Sequence, residues 1–227
     1  MFRPRLMPCL LLKDNGLVKS VKFKNHRYIG DPLNAVKIFN EKKADELVFL
    51  DITAGEEKRH IDFELAAELG EECLMPFAVG GGIKDLPTIK TLLKLGAEKV
   101  VLNSVLFDNL ELLTEASGQF GVQSAVACID VKKSLLGKYS VYKDGGKTNA
   151  GLNPVEWAKK IEAAGAGEII IQSIDQDGVM KGYDFPLVQS VAEAVNIPVV
   201  ALGGAGTYED FRRAVKESGA SAAAAGS

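Results

Sequence analysis

Asp130 stands where a carboxylate could move a proton. It follows the apolar run Ala125-Val-Ala-Cys-Ile129 and precedes a polar stretch, so it reads as the end of a strand. Two glycine loops add a second kind of chemistry. Phe77-Ala-Val-Gly-Gly-Gly-Ile83 runs from apolar residues into three glycines and then a helical pattern, and Val199-Val-Ala-Leu-Gly-Gly-Ala-Gly206 repeats the design. Without a Cβ, backbone N–H groups can approach an anion, and a helix N-terminus behind them is expected to add partial positive charge. Tight turns alone would also use such glycines.

The echo has a fixed register. Glu46-Leu-Val-Phe-Leu-Asp51 is similar to Glu168-Ile-Ile-Ile-Gln-Ser173, and each glycine pair, at 81 and at 203, begins 35 residues past its glutamate. Gly96-Ala-Glu-Lys-Val-Val-Leu-Asn-Ser104 parallels 219–227, and Cys9-Leu-Leu-Leu-Lys13 parallels Cys128-Ile-Asp-Val-Lys132. The chain thus reads as two similar halves, about 1–120 and 121–227, each with one anion loop and a polar strand end, Asn103-Ser104 or Gly226-Ser227. Two symmetric anion sites imply a small substrate with a phosphate at each end. Asp130 pairs in the repeat with Leu11, which cannot move a proton. Two facing carboxylates could act as acid and base, and this chain offers one.

The elements that must position these residues alternate. Apolar runs at Leu6–Leu12, Glu46–Ile52, Phe77–Val79, Lys99–Leu102, Ser124–Asp130, Glu168–Ser173, Pro198–Ala201 and Ser221–Ala225 read as eight strands. Helical patterns between them start at Asp31-Pro32, near Phe63, at Asp85-Leu-Pro87, near Leu110, at Asn153-Pro154, at Phe185 and at Tyr208. Eight strands with seven helices predict a parallel (β/α)8 barrel over residues 1–227, ending where a last helix would begin, so the last helix is expected to be missing. Asp14–Tyr28 reads as a polar loop, and Tyr139-Ser-Val-Tyr142 as a hairpin excursion.

Other charged residues have two readings each. Asp51, Asp175 and Asp177 close strands on the Asp130 face, where each could orient substrate hydroxyls or cap a loop. Lys19 could reach an anion from the first loop or stay solvated. Arg5, Glu46, Lys99 and Glu168 each open a strand; they could pair as a ring at the barrel bottom or be ordinary solvated ends. His26 and His60 read as surface residues, and Trp157 as core or interface. The chain is 47% hydrophobic with a net charge of -3 and no basic cluster, which argues against a nucleic-acid or anionic-membrane surface. Cys9, Cys73 and Cys128 lie too far apart for metal-ligand spacing and fit buried thiols in a reducing cytosol. Arg3 and Arg5 interrupt any apolar leader, so a cytoplasmic protein is expected.

The whole chain resembles the cyclase subunit of imidazole glycerol phosphate synthase. The stretches that carry the resemblance are Glu46-Leu-Val-Phe-Leu-Asp-Ile-Thr53, Val79-Gly-Gly-Gly-Ile83, Gly165-Ala-Gly-Glu168, Ser173-Ile-Asp-Gln-Asp-Gly178 and Gly203-Gly-Ala-Gly206. The resemblance implies a (β/α)8 barrel lyase subunit that works without a cofactor. Its partner is a glutaminase on the N-terminal barrel face, and ammonia passes through the barrel to a bisphosphorylated ribulosyl-aminoimidazole. It implies a phosphate site at Gly82, Asn103 and Ser104, and another at Gly178, Gly204, Gly226 and Ser227, with Asp177 beside it. It makes Asp130 and Lys19 catalytic, and Arg5, Glu46, Lys99 and Glu168 an ammonia gate. The departures are Leu11 in place of the second aspartate and Ala78, Val101 and Leu202 in place of small hydroxyl residues. Pro8-Cys-Leu-Leu-Leu-Lys13 is similar instead to a side branch linked to amidation of surface-polysaccharide sugars. The expectation is an ammonia-channelling subunit of that branch with poor cyclase activity. The alternatives are an orthodox cyclase of histidine biosynthesis and a non-catalytic scaffold for another amidotransferase.

Overall fold

Parallel strands buried on both faces need apolar side chains on both. The computed structural model describes residues 4–226. In chain order, β1 (Arg5–Lys13) leads into the hairpin β2 (Gly16–Val21) and β3 (Lys24–Gly30), then α1 (Pro32–Lys42), β4 (Leu47–Asp51), α2 (Phe63–Glu72), β5 (Phe77–Gly80), α3 (Leu86–Lys94) and β6 (Lys99–Leu102). The second half continues with α4 (Glu111–Phe120), β7 (Ala125–Lys133), β8 (Tyr139–Lys143), β9 (Thr148–Asn149), α5 (Pro154–Ala163), β10 (Glu168–Ser173), α6 (Phe185–Ala192), β11 (Val199–Leu202), α7 (Tyr208–Lys216) and β12 (Ala222–Ala225).

Eight of the strands pair in parallel in the order β1, β4, β5, β6, β7, β10, β11, β12, and β12 returns to β1 with Arg5 opposite Ala222, so the sheet closes. This is the (β/α)8 barrel that the alternation of eight strands with helices predicts. The strand alternation sorts the core into two layers. Met7, Cys9, Val48, Ala78, Val101, Val126, Cys128, Ile170, Val200, Leu202, Ala222 and Ala224 fill the barrel interior. Leu10, Leu12, Leu47, Phe49, Val79 and Ile169 point outward against the helices. Trp157 joins that outer layer, stacked on Phe107 with ring centroids 5.0 Å apart. Among the described residues no helix is long and apolar enough to cross a membrane.

Local signals place most helix starts. Asp31, Asp62, Asp85, Asn153 and Asp184 each cap a helix by accepting a first-turn N–H, and Thr207 with Asp210 closes a capping box on α7.

The expected polar loop at Asp14–Tyr28 is instead the β2–β3 hairpin, continuing antiparallel from β1 with Leu11 opposite Val18. Asp14 and Asn15 make the first turn at φ 52° and 57°, a conformation these two side chains tolerate. The second turn, Lys22-Phe23, also has positive φ but lacks turn-type residues. The chain holds it from far away: Lys22 N–H donates to the Asp177 carbonyl at 2.9 Å and Phe23 N–H to the Asp177 carboxylate at 3.2 Å. The expected excursion at Tyr139–Tyr142 is the matching β8–β9 hairpin in the other half. The two hairpins meet over the barrel mouth, where Gly146 lies against Phe23 and Ile174.

Candidate functional site

Asp130 faces the barrel interior near the C-terminal mouth. It is not the strand end, because pairing with β8 extends β7 to Lys133. Asn103 Nδ2 donates to Asp130 Oδ2 at 2.9 Å, and the Cys128 thiol donates to Oδ1 at 3.7 Å. Burial pushes the Asp130 carboxyl up to about 6, with the Asp177 charge adding; Asn103, Cys128 and Lys132 oppose the shift. The amide oxygen of Asn103, Oδ1, is buried with no hydrogen-bond partner among the described residues. Lys132 donates to the Gly146 carbonyl with its ammonium 4.4 Å from the Tyr142 ring centre, tying the β8–β9 hairpin to β7.

The C-terminal half builds a cavity at the mouth. Gly178, Gly203, Gly204 and Gly226 line it together with Asp177, Ser20, Gln172 and the apolar Leu11 and Leu202. Ser227 lies outside the described residues. In the N-terminal half Gly80 pairs with Val101, and Gly82 and Asn103 lie in the loops just past the ends of these two neighbouring strands. Asn103 is taken up by Asp130, and the Ser104 hydroxyl accepts from the Asp144 N–H at 3.3 Å.

The glycines are required by close approach. A Cβ on Gly82 (φ 63°) would stand 1.8 Å from the Arg59 carbonyl, and one on Gly204 (φ 107°) 2.2 Å from that of Gly182. Gly204→Ala is therefore expected to cost about 2–4 kcal/mol in urea denaturation. Gly118→Ala, on an open face of α4 with nothing within 4 Å, is expected to be neutral or stabilising by about 0.5–1 kcal/mol. Equal effects would remove the close-approach argument.

The helix starts behind both glycine loops carry capping carboxylates. Asp85 caps α3 at 2.8 Å from Thr88 N, and Asp210 accepts the Gly206 and Thr207 N–H groups ahead of α7. These carboxylates offset part of the positive charge that a helix start would offer an anion. The N–H groups of Gly82 and Gly204 donate to no partner among the described residues.

The remaining candidates separate. Asp51 is saturated by Thr53, the Ala54 N–H and the Arg59 guanidinium, which makes it a loop cap. Asp175 accepts the Lys133 N–H at 2.8 Å and ties down β7. Asp177 accepts from the Ser20 hydroxyl at 2.7 Å and latches the β2–β3 hairpin onto the cavity wall. Burial raises its carboxyl, against the Ser20 and Phe23 hydrogen bonds. Lys19 is exposed on β2 opposite Arg27 and does not line the cavity. His26 is exposed; the half-buried His60 ring stacks on Phe63. Cys128, read from the sequence as a buried thiol, lies two residues before Asp130 on β7 and so shares its inward face. Gln172 carries no local mark in the sequence; its pairing with Asp130 in the register of β10 and β7 is what places it.

At the opposite end, Arg5, Glu46, Lys99 and Glu168 close a ring of ion pairs. Arg5 bonds both glutamates, and Lys99 reaches Glu46 at 2.7 Å and Glu168 at 3.0 Å. The glutamates are only 2% and 4% exposed, not solvated strand ends. Burial alone would lower the Arg5 pKa; Glu168 and Glu46 outweigh it and raise it.

Comparison with known proteins agrees with this architecture. The family model described as histidine biosynthesis protein matches residues 5–227. A Pseudomonas aeruginosa protein carrying the numbered subunit name hisF2 is 47% identical over all of this chain and 90% of its own length. The imidazole glycerol phosphate synthase subunit HisF of a Hydrogenobaculum species is 45% identical with the same coverage, and that of Lactococcus lactis is 47% identical over 93% of this chain and 82% of its own. The chain therefore belongs to the histidine biosynthesis protein family and, within it, to the HisF-type synthase subunits.

Proposed function

We propose that this barrel is the ammonia-accepting subunit of a glutamine amidotransferase, acting on a phosphorylated, sugar-derived substrate in surface-polysaccharide sugar amidation. The observation that carries the reading is the uneven mouth. Asp130 is kept, buried and poised, while Leu11 and Leu202 line the cavity where a second proton-moving group would be needed. In this reading a glutaminase docks on the N-terminal face over the ring of Arg5, Glu46, Lys99 and Glu168. Because the ring pairs its charges internally, a partner can cover it without desolvating a lone ion.

Ammonia released there crosses an interior of Met7, Cys9, Val48, Val126, Ile170 and Val200. Such a lining admits a small neutral molecule at little cost and excludes ammonium, whose charge would be stripped of water. The Cys9 thiol adds no charge, since burial pushes it up to about 12. At the mouth, the nitrogen that adds to the substrate gains positive charge and must lose a proton, which Asp130 accepts. The glycines of the two halves hold the phosphate ends, at Gly82, Asn103 and Ser104 and at Gly178, Gly204 and Gly226. Lys19 can fold inward from the hairpin over a bound anion.

The orthodox cyclase reaction of histidine biosynthesis is the competing reading, favoured by relatives named for that synthase. Ammonia-driven turnover of the bisphosphorylated ribulosyl-aminoimidazole decides between them. The wild type is expected to be nearly inactive, and Leu11→Asp to raise its rate by about 10²-fold, the lower range for a positioned acid or base. Robust wild-type turnover would restore the orthodox reading.

A further inference from the structure

In parallel strands, residues paired in register face the same way, and on β10 and β7 Gln172 is paired with Asp130. Ile170 and Cys128, two residues earlier, point into the barrel, so Gln172 points inward too. On its other side it is paired with Leu202. Gln172 is 4% exposed, and its amide makes no hydrogen bond among the described residues. A buried amide without a partner is costly to keep. This one is not sealed in, because it lines the cavity formed with Gly178, Gly203, Gly204 and Gly226.

The rest of that wall offers a guest little. Ser20 and Asp177 are bonded to each other. Cys9, Leu11, Leu202, Ala224 and Ala225 supply apolar surface or a neutral thiol. Gln172 is thus the one side chain of the wall, among the described residues, with a free donor and a free acceptor. Its place is beside the glycine arc: a Cβ on Gly203 would stand 2.6 Å from the carbonyl of Ser173, the next residue. We infer that Gln172 is a specificity-determining residue that hydrogen-bonds the hydroxyl next to the phosphate of a phosphorylated polyol or sugar. A hydroxyl donates and accepts, as a primary amide does. A carboxylate in that place would face Asp130 and Asp177. The inference rests on the reading above that the glycine arc holds phosphate.

The test is calorimetric titration of the whole chain with inorganic phosphate, glycerol 3-phosphate and propyl phosphate, which keeps the phosphate and lacks the hydroxyls. The wild type is expected to bind glycerol 3-phosphate roughly tenfold more tightly than propyl phosphate. Gln172→Leu should bind the two equally and keep its affinity for inorganic phosphate. Thermal unfolding checks that the variant folds; if it does not, Gln172→Asn, which withdraws the amide by one methylene, should cut the preference to about twofold or less. A preserved tenfold preference in a folded variant overturns the role of Gln172 and leaves the phosphate site standing. Failure of the wild type to bind inorganic phosphate overturns both.

Discussion

Asp130→Asn is expected to remove catalysis and to stabilise the barrel above pH 6 at the same time. In the Leu11→Asp background, where turnover is measurable, the loss should be about 10²–10⁴-fold, the usual contribution of a positioned proton carrier. The stability gain follows from the raised carboxyl. Between its ordinary value of 3.8 and about 6, the folded protein binds a proton that the unfolded chain has released. Wild-type stability therefore falls as pH rises through that window, by about 3 kcal/mol for a shift of this size, and the cost persists above it. The variant has no such group. Its amide oxygen can still accept from Asn103 Nδ2, as the Asp130 carboxylate does. Urea denaturation at pH 4 and pH 7 should show curves that separate by about 1–3 kcal/mol only at the higher pH. The same separation at both values would mean that Asp130 is not carried at a cost to folding.

Lys99→Ala is expected to cost about 2–4 kcal/mol in the isolated subunit, because breaking a buried ion pair leaves charge without compensation. Among the described residues, Glu46 and Glu168 would each keep only Arg5 as an ion-pair partner. The Lys99 side chain is 17% exposed, so water can reach part of the gap, which holds the cost toward the lower end. In complex with the glutaminase, the variant should bind its partner and release more glutamate per amidated product, since an opened ring no longer confines ammonia. The readout is that ratio, wild type against variant. A loss of stability with an unchanged ratio would make the ring a structural clamp and remove the gate from the proposed function.

The strand Ala222–Ala225 shows how far local signals reach. Four alanines favour a helix by propensity, yet the segment is a strand between β11 and β1. Only the repeat, which sets 219–227 against 96–104, made it legible. Its small side chains also leave the Ala224 carbonyl open to the Tyr183 hydroxyl at 2.9 Å. The first turn of the β2–β3 hairpin could have been read from Asp14-Asn15-Gly16, whose residue types suit it. The Lys22-Phe23 turn could not, because its support comes from Asp177, 154 positions away from Phe23.

By itself the sequence determined the alternation of strands and helices, the two-half repeat, the helix caps and the glycines of the mouth. Each of these follows from a short period or from the backbone freedom of one residue. Tertiary structure decided what the polar groups do. Asp130 is raised to about 6 by burial, against the hydrogen bonds from Asn103, just past β6, and from Cys128 on β7. Arg5 and Glu168 meet from 163 positions apart. Asp177 latches a hairpin, and Gln172 is aimed into a cavity by the register of two strands. Protonation, ion pairing and hydrogen-bond satisfaction depend on which distant groups share a desolvated space, and closure of the barrel is what creates that space.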